Sequence, residues 1–344
     1  MHIPDGYLSP ATVAVAYGAA APFWYQASKR VKETLRGQSA PLVALFAAFS
    51  FTIQMFNIPV PGGTTAHAVG GTLIAVVLGP WAAVVGVSTA LVIQALFFGD
   101  GGITAIGANC LNMAIALPLT GYVAYRLLAG RSPSPRRRAL AAAVGSYLGI
   151  NVAALLAGLE LGVQPLLWSE GGRALYNPYG LDVTLPAMLL VHLTLAGFAE
   201  AALTGLGVAF LLRSQPALFV ADPALISRAG LGRAGWSLVA VLGAMVVLSP
   251  IGLLATGGAD FEWGAVELEG MLGYVPNGLA RLADSWQMAP LGDYQVAGLG
   301  PDASFVQQAP AYILSAVVGV AMIFALVFAA RMALTRSTSS AQRD

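Results

Sequence analysis

Apolar residues in this chain neither alternate with polar ones nor keep to one helical face. They run in blocks bounded by Pro, Gly and basic residues. A hydrocarbon core about 30 Å thick needs roughly 20 apolar residues of helix to cross it. On that measure the blocks predict nine spans, over about 10–28, 41–57, 65–79, 81–98, 103–127, 139–160, 185–213, 236–256 and 311–333. The third is short, contains the poor helix former Gly70–Gly71, and ends only at Gly79–Pro80. The predicted fold class is all-α, a polytopic integral membrane helix bundle of seven spans plus two.

Composition supports the membrane reading. Hydrophobic residues make up 57% of the 344 positions and charged residues 10%, against about 25% charged in ordinary soluble domains. The single Cys110 excludes an intramolecular disulfide. A net charge of +1 without a basic stripe gives nucleic acid nothing to follow.

The placement of charge sets an expected orientation. Of 17 basic residues, 15 fall in segments 29–38, 126–138, 213–233 and 331–343, which nine spans place on one side. By the positive-inside rule that side is cytoplasmic. The N-terminus is then extracytoplasmic, and the first span, whose charges follow its apolar run, does not read as a cleaved signal peptide.

MHIPDG therefore opens the chain on the outer face. A histidine in second position offers three nitrogens at once: the terminal amine, its own deprotonated amide and its imidazole. Amine and amide close a five-membered ring through Met1, and amide and Nδ1 close a six-membered ring through His2. Three nitrogens near one plane suit Ni(II) or Cu(II) and suit tetrahedral Zn(II) poorly. A fourth corner has two candidates. His67 follows IPVPGGTTA in an outer loop, and it is the favoured ligand. His192 lies within LPAMLLVHLTLAG, where a core histidine hydrogen-bonded between helices is expected.

MHIPDG, GGTTAHAVGGTL and GANCLNM together resemble the NikM/CbiM family, the substrate-binding components of nickel and cobalt energy-coupling-factor transporters. The resemblance covers about residues 1–213 and implies that the N-terminus plugs into the membrane domain. It also implies a metal held by four nitrogens, which here are the Met1 amine, the His2 amide and imidazole, and the His67 imidazole. SPIGLLA at 249–255, FEWG at 261–264, PNGLA at 276–280 and PLGDY at 290–294 resemble the NikN-type partner. Asn277 and Ala280 depart from that partner's PDGLE pattern and remove two carboxylates. The reading is a NikMN-like fusion: a metal-binding part over 1–213, a cytoplasmic linker over 214–235, and a two-span part over 236–344 with an acidic outer loop.

Polar residues inside spans need an account, since the bilayer penalises them. Asn109 and Asn112, three apart, share a helix face; they either contact the inserted N-terminal strand and its imidazole or join helices. Gln54 and Gln94 read as helix–helix glue. Asp5 either accepts an imidazole N–H or ties down the Gly6 turn, and the turn is favoured. The acidic loop, with Asp260, Glu262, Glu267, Glu269, Asp284, Asp293 and Asp302, reads as a solvated face. Small residues in AVAYGAAAP at 14–22 are expected to face a transmembrane coupling component.

No GxxxxGK[ST], Ser-His-Asp or HExxH pattern is present, so neither ATP hydrolysis nor zinc catalysis is expected of the chain itself. The resemblance implies an external motor of two cytoplasmic ATPases and a coupling protein. The expected role is capture of Ni(II), or else Co(II), as transported substrate in the inner membrane of a prokaryote. The rival is a self-sufficient proton-coupled transporter using His192 and Glu200, and a third reading is a membrane metalloenzyme.

Overall fold

The computed structural model describes residues 1–36, 40–60, 64–131, 134–219, 235–255, 265–283, 285–286, 288–296 and 303–340. Most of the expected linker, the FEWG segment, Asp260, Glu262, Asp284 and Asp302 lie outside the described residues.

After an irregular N-terminal segment come α1 (Pro10–Arg36) and α2 (Ala40–Gln54). A hairpin of β1 (Ile58–Val60) and β2 (Thr64–Ala66) pairs Ile58 with Ala66. Then follow α3 (Gly71–Leu78), α4 (Pro80–Phe98), α5 (Ile106–Ala129) and α6 (Pro135–Leu167). A small ribbon of Ser169–Glu170 with Arg173–Ala174 precedes α7 (Leu181–Ser214). The second half holds α8 (Gly235–Leu254), α9 (Ala265–Leu272), α10 (Asn277–Ala283) and α11 (Phe305–Ser340).

Among the described residues, six helices are long and apolar enough to cross a membrane: α4 to α8 and α11. The chain is a polytopic helical membrane protein. The structure shortens the second expected span, 41–57, to Ala40–Gln54 and the third, 65–79, much further. Its helix covers only Gly71–Leu78, about 12 Å at 1.5 Å per residue. Gly70 (φ 73°) sits in the left-handed region just before it, and Gly79 (φ 92°) with Pro80 ends it and starts α4. Residues 64–66 go to the hairpin instead.

Three helices contain wider π turns, at Gln94–Phe98, Cys110–Ala116 and His192–Ala196. Each widening shifts the residues beyond it around the helix axis. Small buried residues of α6, including Gly145, Gly149 and Ala153, let α5 approach closely.

Helices α1 and α5 run away from the N-terminal segment, and α6 runs back toward it. The starts of α1 and α5 lie at the end of the bundle where the N-terminal segment inserts, with Tyr17 of α1 donating to Ile103 O (3.2 Å). Lys29, Arg30 and Lys32 of α1, Arg126 of α5 and Arg136 to Arg138 of α6 lie at the opposite end. The second half caps the first at the N-terminal end. Trp286 Nε1 donates to Leu96 O (2.8 Å), Leu291 N to Phe97 O (3.0 Å) and Leu279 N to Leu175 O (2.9 Å). The turn at Gly6 (φ 88°) lies so close to α10 that a Cβ there would come 2.6 Å from Leu279 O.

Candidate metal centre

The N-terminal segment is held along its length by main-chain and side-chain contacts to the first half. Ile3 N donates to Asn109 Oδ1 (2.8 Å), and Asn109 Nδ2 donates back to Ile3 O (3.1 Å). Gly102 N also donates to Ile3 O (2.9 Å), Asn177 N to Tyr7 O (3.1 Å), and Ser9 N to Gln164 Oε1 (3.0 Å). A Cβ on Gly102 would lie 2.4 Å from Asp5 N, so this loop approaches as a bare backbone. Met1, His2, Ile3, Tyr7 and Leu8 are all buried.

That insertion brings His2 to His67, with ring centroids 5.0 Å apart and planes inclined by 31°. The His67 Nδ1–H donates to Ala68 O (3.2 Å), which leaves Nε2 as the nitrogen with a free lone pair. That Nε2 is buried without a hydrogen-bond partner, and so is His2 Nε2. His2 Nδ1 lies 3.1 Å from Asp100 Oδ1. Burial holds the His2 ring below the usual histidine pKa, the Asp100 carboxylate working against it. His67 is held well below it by burial, the nearby Met1 amine and His2. Both rings are therefore neutral near pH 7, the state that binds metal.

The loop bearing His67 is fixed from α7. Glu200 accepts from Val69 N (2.8 Å) and from Gly70 N (3.0 and 3.1 Å). Met1, His2 and His67 line a cavity of about 520 Å³ together with Asn57, Asp100, Gly252, Asp293, Tyr294 and Tyr312. Both halves of the chain thus contribute to its wall.

Several sequence expectations need correction. Asp5 bonds neither an imidazole nor the Gly6 turn; it accepts from Ile103 N (3.0 Å), Thr104 N (2.8 Å) and the Thr104 hydroxyl. Asn109 and Asn112 divide the two expected roles between them: Asn109 holds the inserted segment, and Asn112 joins helices, its Nδ2 donating to Glu160 Oε2 of α6 (2.7 Å). His192 bonds within its own helix, Nδ1 to Met188 O (2.7 Å), and not between helices; its Nε2 is buried and unpaired. Gln54 and Gln94 are more than glue. Both lie beside His2, and each has a buried carbonyl oxygen with no hydrogen-bond partner. Of the acidic loop residues, Glu267 and Glu269 are exposed, but Asp293 lines the cavity.

Among the described residues no group of three or more His, Cys, Asp and Glu side chains is arranged to hold a metal ion.

Comparison with known proteins agrees with this architecture. Residues 2–218 match the CbiM family, described as the cobalt uptake substrate-specific transmembrane region, and residues 234–336 match the PDGLE domain. The fused nickel transport protein NikMN of Rhodobacter capsulatus is 50% identical, over 94% of this chain and 95% of its own length. The probable fused nickel transport protein LarMN of Lactiplantibacillus plantarum is 43% identical, over 95% and 96%. A crystal structure of a truncated transition metal transporter superposes with a TM-score of 0.58 at 52% identity, covering 62% of this chain and 99% of the other. The chain belongs to the CbiM family of substrate-specific transmembrane proteins and carries a PDGLE domain, of the NikN type, as its second half.

Proposed function

We propose that the chain captures Ni(II) as the substrate-binding component of an energy-coupling-factor importer. The ion is held by the Met1 amine, the His2 amide and Nδ1, and His67 Nε2. The observation that carries this is the facing pair of His2 and His67 rings, 5.0 Å apart in a cavity that Met1 also lines. The His67 tautomer already presents a bare Nε2. Loading exchanges the contact of His2 Nδ1 with Asp100 for one with the metal. The His2 ring proton then moves to Nε2, where the unpaired oxygens of Gln54 and Gln94 are at hand to accept it. Co(II), named in relatives such as the cobalt transport protein CbiM of Geobacter sulfurreducens, is the alternative substrate. Planar nitrogen with an anionic amide favours Ni(II).

The motor in this reading is external: two cytoplasmic ATPases and a membrane coupling protein, acting on the chain in the inner membrane of a prokaryote. An N-terminus on the outer side is supported by the cavity and the Arg-rich helix ends lying at opposite ends of the bundle. The exposed small residues Ala14, Gly18 and Ala19 of α1 offer a close-packing face for the coupling protein. Glu200, on which a proton relay with His192 would depend, is engaged by Val69 and Gly70, and the reading of the chain as a proton-coupled transporter loses its second member.

The test is Ni(II) titration of the purified chain against a competing chelator. One Gly added before Met1 keeps every side chain but turns the Met1 amine into an amide. That extension, and equally His67→Ala, is expected to remove high-affinity binding while thermal unfolding of the metal-free protein stays unchanged. An extended protein that binds nickel as tightly as the native one would rule out the amine as a ligand.

A further inference from the structure

Tyr294 closes the PLGDY segment of the second half, yet its hydroxyl reaches into the metal cavity. It donates to Asp100 Oδ2 (2.5 Å) and accepts from Gln94 Nε2 (3.1 Å). The other oxygen of Asp100 is the one 3.1 Å from His2 Nδ1. Asp100 sits between Gly99 (φ 65°) and Gly101 (φ 84°), in a turn where no helix constrains its side chain. What directs the carboxylate is the set of groups that touch it, and the shortest of these contacts comes from the second half.

The chain holds Tyr294 in place at some cost. Asp293 (φ 53°) and Tyr294 (φ 60°) are the only residues other than glycine with positive φ among those described, a region in which a Cβ crowds the main chain. The conformation persists because it is fixed on every side. Tyr294 N donates to Leu291 O (3.0 Å), and Ser315 Oγ of α11 donates to Tyr294 O (2.8 Å). The ring stacks on Phe98 at 4.9 Å and 19°, with Tyr312 at 5.4 Å. A phenylalanine would fill this slot equally well. The hydroxyl is the part that packing does not require.

We propose that Tyr294 is a positioning residue that sets the affinity of nickel capture: by holding Asp100 Oδ2 it aims Oδ1 at His2 Nδ1, and so keeps the empty imidazole engaged through the very nitrogen that the ion takes over. The second half of the chain then acts on a ligand it does not itself supply. This rests on His2 being a ligand, as proposed above.

A double-mutant cycle on the full-length chain tests it, with Tyr294→Phe, Asp100→Asn and both together, read by Ni(II) competition titration and by the visible absorption of the bound ion. Tyr294→Phe is expected to tighten binding severalfold, because loading then gives up a weaker Asp100 contact, with the absorption band at saturation unchanged because no ligand is lost. Since Tyr294 acts through Asp100, the double variant is expected to bind like Asp100→Asn alone. Additive effects, or native or weaker affinity in Tyr294→Phe, would overturn the proposal. Should Tyr294→Phe fail to fold, Ser315→Ala loosens the Tyr294 carbonyl and takes its place in the cycle, with a smaller gain in the same direction. His2→Ala is measured alongside. Native affinity in that variant overturns the ligand assignment itself, whereas lost affinity there with an indifferent Tyr294→Phe overturns only the role of Tyr294.

Discussion

The cavity around His2 and His67, about 520 Å³, and the groove between Phe49 and Leu242, about 430 Å³, both lie where the two halves of the chain meet. Their walls differ in kind. The groove is lined by Leu, Phe, Ile, Val, Met and one Gly, so nothing in it can orient a polar ligand. The cavity is lined by imidazole, carboxylate, amide and phenol, and two of its nitrogens, His2 Nε2 and His67 Nε2, are buried without partners. Unpaired buried polar atoms are costly, and apolar contact would have served as well to join the halves. The seam thus joins helices in its apolar part and has the means for chemistry only at the end where the N-terminus inserts.

The sharpest way to break this comparison is to loosen the cavity from a distance. Glu200 lies on α7 and fixes the main chain next to His67 through Val69 and Gly70. Glu200→Gln keeps the volume and one acceptor oxygen but turns an N–H donor toward the main-chain N–H groups of Val69 and Gly70, so that a buried hydrogen bond worth roughly 1–3 kcal/mol is lost. Nickel affinity is expected to fall about 10-fold, since 1.4 kcal/mol is a factor of ten. An unchanged affinity in the titration would mean that the His67 loop needs no strap.

Neither the strap that Glu200 makes nor the contact of Tyr294 with Asp100 was legible in the sequence, and the reason is physical. MHIPDG and His67 were legible because the chemistry of a second-position histidine depends on its place in the chain, and because a histidine in an outer loop has few other duties. The blocks of apolar residues gave the helices, apart from 65–79, where glycines at both ends outweigh hydropathy. The supporting groups act across 131 residues from Glu200 to Val69 and 194 from Tyr294 to Asp100. No local period encodes such a pairing. A carboxylate inside an apolar helix was the one available signal for Glu200, and it was read toward His192. Both roles open to Asn109 and Asn112 were legible, but which residue takes which was not, because a π turn begins at Cys110 and changes the angle between them.

Acidification gives a smaller effect, visible without metal. His2 and His67 are both held below the ordinary value of 6.5 in the folded chain, chiefly by burial. Below about pH 6.5 the unfolded chain takes up protons that the folded one refuses. Stability is therefore lost as pH falls through 6.5, and the loss stops only when the folded pKa values are reached. The thermal midpoint of the metal-free protein is expected to drop by several degrees between pH 7.5 and 5.5, and His67→Gln to flatten that slope. A midpoint independent of pH over this range would show the rings to be solvated, and the cavity no more enclosed than the groove.

The smallest effect is expected in the groove. Leu242 is buried, 6% exposed, among residues of α2, α4 and α11, and in a soluble protein Leu→Ala at such a place costs about 2–5 kcal/mol. Much of that cost is the transfer of the side chain from water, which a helix surrounded by lipid does not pay on unfolding within the bilayer. What remains is lost dispersion, and an acyl chain entering from the membrane can restore part of it. Leu242→Ala is therefore expected to lower the thermal midpoint by a few degrees at most and to leave nickel affinity within twofold of the native value. A loss of affinity as large as that of Glu200→Gln would mean that packing in the groove sets the geometry of the cavity. The two regions would then be one cooperative unit, and the polar wall alone would not define the site.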